Sequence, residues 1–140
     1  MKMPTLTPPA SLGLKAMSPD GLHASILAGF PFSAVEKFGK QSQFSEATIT
    51  KIVGIPPRTV ARRRVEKRLK PDESDRLYRL ATIFARAVEL FEGDVAAANR
   101  WLTQPVRGLG HNVPIDLAVT QVGAQMVLDL LGRLDNGVFS

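Results

Sequence analysis

Apolar residues recur at three- and four-residue steps through nearly the whole chain, a spacing that predicts helices and no strand. The clearest stripe follows Pro71, where Leu77, Leu80, Ala81, Phe84, Val88 and Phe91 would line one side of the longest helix until Gly93 ends it. Punctuation divides the rest. Ser18 caps a helix with Pro19 at its first position, running to about Ala28 and stopped by Gly29. Pro31 and Phe32 open a second, ending near Gly39. Ser45 caps a third from Glu46 to about Val53, closed by Gly54, and Pro57 starts a fourth that runs to about Arg68. Beyond the long helix, Asp94 begins one that carries Trp101, and Gln104 to Asn112 reads as a loop. A short turn follows Pro114, and Thr120 caps a final helix from Gln121 to about Asp135 that Asn136-Gly137 terminates. The predicted fold is all-α.

Composition adds bounds to this picture. With 140 residues and 44% apolar content, the chain can build one domain with a real core or two small helical lobes. Residues 1–17 are expected to form a flexible arm, since Met1 to Gly13 holds three prolines with serine and threonine and no apolar run. Lys2 is not followed by an apolar segment, so no secretory signal is expected. The uncharged stretch from Leu117 to Leu128 is about half the length that a membrane span needs. Cysteine is absent and the two histidines, His23 and His111, have no partner at ligand spacing, so neither a metal nor a cofactor is expected. The cytoplasm is the default compartment.

Charge placement says more than the net value of +5. Arg58 to Lys70 holds seven of the eighteen basic residues and a single acid, directly behind a helix, a glycine stop and a proline restart. That order is a helix-turn-helix with a cationic second helix, for which duplex DNA is the best-fitting partner. Counting about 100° per residue from Pro57 puts Val60, Ala61 and Val65 on one side, and Thr59, Arg62, Arg63 and Glu66 on the other with Arg58 at the flank. Arg58, Thr59, Arg62 and Arg63 are therefore the expected base-contacting group, and Lys67, Arg68 and Lys70 the expected phosphate contacts. Arg64 projects toward the apolar side, with Asp75 as a candidate partner, and is expected to be structural. The plain alternative for the segment is a solvated cationic face.

These residues, with the second half, resemble the Xre/MbcA/ParS antitoxin family. The likeness covers about residue 18 to the C-terminus. Its first part lies in GFPFSAVEKF, ITKIVGIPPRTVARRR and LKPDESDRLYRLATIFARAVELF; its second is the ordered series Trp101-Leu102, Pro105, Leu109-Gly110, Pro114, Gly123, Leu130-Leu131, Arg133 and Gly137. The resemblance implies an Xre-like helix-turn-helix domain over residues 18–92 and a small helical toxin-binding domain over 93–140. It further implies a non-enzymatic antitoxin that occludes the active site of a RES-domain, NAD-consuming toxin and represses its own operon through operator DNA. Toxin contact is expected at Arg133 and at the chain end, Gly137, Val138, Phe139 and Ser140. His111 departs from the family, which usually has a second glycine after Gly110, so a stiffer or differently aimed loop is expected.

Plainer readings stand beside these. Trp101 and Gly110 are read as structural, and Gly123, costly inside a helix, as a point of close approach. Taken alone, Arg133 would be a solvated side chain and the tail an unstructured end. A homodimer is expected, because one recognition helix makes too little contact for tight operator binding. The alternative function is a stand-alone transcription regulator whose C-terminal module dimerises or binds another protein. An enzyme finds no support, since the sequence offers no cysteine, no paired histidines and no glycine-rich phosphate loop.

Overall fold

A computed structural model of the chain describes residues 6–137. Nine α-helices make up the described fold: α1 (Pro8–Ser11), α2 (Pro19–Ala28), α3 (Ser33–Ser42), α4 (Glu46–Val53), α5 (Pro57–Glu66), α6 (Pro71–Leu90), α7 (Val95–Leu102), α8 (Pro114–Leu117) and α9 (Gln121–Asp135), with one 3-10 turn at Arg107–Leu109. No strand occurs among the described residues; two isolated bridges pair Pro31 with Arg68 and Val106 with Asn112.

The expected caps form. Ser18, Ser45, Asp94 and Thr120 each accept a backbone N–H of the first turn through a side-chain oxygen. Gly29 and Gly54 stop α2 and α4 at positive φ, 88° and 84°. Two boundaries differ from the sequence reading. Helix α3 continues through Gly39 to Ser42, because Gln43 rather than Gly39 takes the left-handed cap at φ 67°. Gly39 is needed for space instead, since a Cβ there would sit 3.3 Å from the Phe44 carbonyl oxygen. Helix α5 ends at Glu66, and Lys67 turns the chain at φ 60°.

The expectation of a loose arm is corrected for residues 7–12. Thr7 caps α1 by accepting from Ala10 N at 3.2 Å, and Leu12 is only 1% exposed, packed into the common core. One apolar side chain with a proline-led turn in front of it is enough to dock a short segment. Residues 1–5 of that expected arm lie outside the described residues.

Helix α6 is the wall on which the rest is built. It packs against α1, α2 and α4 on one part of its surface and against α7 and α9 on another. Phe84 joins Phe38 and Phe44 in a tilted aromatic cluster with ring centroids 5.5–6.2 Å apart. Glu92 and Gly93, at φ 55° and 91°, turn the chain between α6 and α7. The core does not divide there: Leu12, Phe38, Phe84, Leu102 and Leu131 belong to one continuous cluster. Asn99 also donates through Nδ2 to the Ser42 carbonyl at 2.9 Å, tying α7 to the end of α3.

Candidate nucleic-acid and partner interfaces

Helices α4 and α5 are joined by the tight turn Gly54-Ile55-Pro56, whose Ile55 is buried at 2% exposure and whose N–H donates back to the Thr50 carbonyl at 2.8 Å. Arg76, reaching from α6, donates through Nε to the Val53 carbonyl at 2.6 Å and pairs with Asp72 at 3.2 Å. A cation thus covers the negative end of α4. Pro57 then starts α5 with φ already set.

The orientation of α5 differs from the one that its apolar positions suggest. Arg63, expected on the outer side, is the inward residue, 8% exposed. Its guanidinium grips Glu73 of α6 through Nε at 2.8 Å and Nη2 at 3.1 Å, and Nη1 donates to Glu66 at 3.2 Å. Glu73 in turn accepts from the Lys70 N–H at 2.8 Å, closing the first turn of α6. The Arg63 pKa is raised, first by the hydrogen bond that it donates to Glu73, with burial opposing. Val65 and Ala61, expected inward, are exposed, Val65 at 81%. The physical reason is that a bidentate ion pair, and not apolar burial, sets which side of this polar helix faces α6.

Arg64 has partners other than the one expected. It pairs with Glu46 in the first turn of α4, not with Asp75, and its guanidinium stacks 4.8 Å from the centroid of Phe32. Arg68 is exposed yet donates through Nη1 to the Gly29 carbonyl at 2.7 Å and the Ala28 carbonyl at 3.2 Å, which assigns it a cap on α2. Thr59 is half-buried and Lys67 exposed. Arg58 and Arg62 are exposed, and neither has a hydrogen bond or ion pair to another described residue.

In the second half, Trp101 is half-buried and packs on the core. Gly110 takes φ 63° after the 3-10 turn, and His111 takes φ 65°. The loop closes on itself, with Val106 N donating to Asn112 O at 3.1 Å and Asn112 Nδ2 to Leu109 O at 2.9 Å. His111 therefore sits in a conformation suited to glycine. At Gly123 a Cβ would collide with the Leu117 carbonyl oxygen, so the close approach is to the end of α8. Arg133 is exposed on α9 and shares an open groove of about 600 Å³ with Arg86 of α6, Asp129 and Asn136. Gly137 is exposed at φ 71°, following Asn136 at the end of α9. Val138, Phe139 and Ser140 lie outside the described residues.

Two features escaped the sequence reading. Arg86 was hidden because its groove partners are more than 30 residues away on α9. Val119, just before the last helix, and Val122 and Met126 on it are exposed apolar side chains at 46%, 73% and 42% exposure, foreshadowed only by the high apolar content of that segment. No cluster of potential metal ligands occurs among the described residues, and no described helix is long and apolar enough to cross a membrane.

Comparison with known proteins matches both halves. Residues 21–81 match the model of the antitoxin Xre-like helix-turn-helix domain, and residues 86–137 that of the antitoxin Xre/MbcA/ParS C-terminal toxin-binding domain. The chain is 39% identical to an Antitoxin Xre of Yersinia enterocolitica over 130 residues, covering 92% of this chain and 88% of the relative. It is 35% identical to an Antitoxin Xre of Photorhabdus laumondii over 131 residues, covering 93% and 88%. An Antitoxin Xre of Pseudomonas putida is 32% identical over 118 residues, 83% of this chain and 72% of that one. With a helix-turn-helix whose second helix is cationic and a toxin-binding domain packed on the same core, the chain belongs to the Xre/MbcA/ParS antitoxin family, the non-enzymatic partners in toxin–antitoxin systems.

Proposed function

We propose that the protein neutralises a RES-domain, NAD-consuming toxin by occluding its active site, and that it binds operator DNA as a homodimer to repress its own operon, acting in the cytoplasm. The observation that supports this reading is that one fold exposes two chemically different surfaces. Helix α5 exposes the guanidiniums of Arg58 and Arg62, which have no partner among the described residues and suit DNA. Val119 before α9, with Val122 and Met126 on it, exposes apolar side chains that a protein partner would keep from water. Arg133 and Gly137 stand at the end of α9, and the proposed plug for the toxin cleft is Gly137 to Ser140.

The test is co-purification of the tagged protein with the product of a toxin-coding neighbour, with NAD levels followed in cells expressing the toxin alone and with this protein. A stoichiometric complex and restored NAD are expected. Recovery of only the homo-oligomer, still bound to its own upstream DNA, would favour the stand-alone regulator. Deleting Gly137 to Ser140 is expected to weaken neutralisation more than DNA binding; full protection by the shortened chain would move inhibition to the α9 surface.

A further inference from the structure

Val65 carries the greatest exposure among the large apolar side chains of the described residues, and it lies on a helix that is otherwise strongly polar. Its neighbours on the surface are regular. Arg58, Ala61, Arg62 and Val65 are all exposed and fall at helical positions i, i+3, i+4 and i+7, a strip roughly 100° wide. Thr59, Val60 and Arg63 fall on the opposite side and are the residues of α5 that burial touches. The other guanidiniums nearby are already engaged, Arg63 with Glu73, Arg64 with Glu46, and Arg68 with the α2 carbonyls. No carboxylate lies on the strip, because Glu66 is drawn toward Arg63.

We infer that Arg58, Ala61, Arg62 and Val65 are the base-reading strip of α5, and that Val65 selects a thymine through its C5 methyl group. The inference rests on the proposed operator binding. The chemistry on the strip favours DNA over a protein groove: the major groove sets guanine N7 and O6 acceptors beside thymine methyl groups, and arginine beside valine is the matching pair. Ala61, between them, is small enough to let the helix backbone come close to the base edges. From Arg58 to Val65 the strip is about 10 Å long at the helical rise of roughly 1.5 Å per residue, enough to cover about three base pairs. Thr59 and Arg63, expected from the sequence to read bases, have no place on it.

The experiment is selection of bound duplexes from a random pool by the full-length protein, followed by affinity measurements on the selected duplex. A guanine next to a thymine within about three base pairs is expected in each half-site. Replacing that thymine by deoxyuridine, which removes only the methyl group, is expected to weaken wild-type binding about four-fold. Val65→Ser is expected to bind the thymine and uracil duplexes equally, and Arg62→Ala to lose the preference for guanine. An unchanged uracil penalty in Val65→Ser, or none at any thymine in the wild type, overturns the assignment. A Val65→Ser chain with altered oligomeric state but the wild-type consensus also overturns it, giving the strip to a second copy. Failure to enrich any duplex removes operator binding itself, an outcome distinct from the other three.

Discussion

Arg63 and Glu73 meet out of water, where each depends on the other to keep its charge compensated. Arg63→Ala leaves a buried carboxylate held only by the Lys70 N–H, and is expected to cost about 3–5 kcal/mol, read from the urea midpoint. Arg63→Lys should recover only part of this, because an ammonium does not span both carboxylate oxygens as a guanidinium does. The raised Arg63 pKa means that its contribution is complete below the ordinary guanidinium value and is lost only as pH rises through the folded one, so the arginine adds no pH dependence near neutrality. His111 stores strain in the opposite sense. His111→Gly places glycine at φ 65° and is expected to raise stability by about 1 kcal/mol, seen as a higher melting temperature.

At the scale of elements, the helices after α1 were legible in the sequence, because serine and aspartate caps, proline starts and glycine stops are local chemistry. The facing of α5 was not. Helical periodicity assumes that apolar side chains turn inward, and here two distant carboxylates, Glu46 and Glu73, hold the helix by Arg64 and Arg63 instead. Pairing across 18 and 10 residues leaves no periodic trace. Leu12 was missed for a related reason, since a single docked leucine makes no stripe. The corrected facing separates two variants that the sequence treated alike. Arg62→Ala is expected to weaken operator binding by tenfold or more with an unchanged melting temperature, whereas Arg63→Ala should lower both. Equal melting temperatures for the two variants would contradict the inward placement of Arg63. The candidate partner surface was partly legible: Arg133 was read, while Arg86 was brought to it only by the packing of α6 against α9.

The molecule as a whole has a family boundary between residues 81 and 86 but no matching gap in its core. Helix α6 gives one part of its surface to the helix-turn-helix and another to α7 and α9, so neither half closes its core alone. Unfolding is expected to be a single cooperative transition, with coincident melting curves from far-ultraviolet circular dichroism and Trp101 fluorescence. Phe84→Ala, at the shared aromatic cluster, should cost about 3–5 kcal/mol and lower both curves together. A shared helix also ties the fates of the two surfaces in time. A protease that cuts within α6, or any stress that melts it, dissolves the DNA-facing strip and the α9 surface in one event. Whatever each surface holds is then released simultaneously, so the lifetime of this one helix acts as a common clock for both.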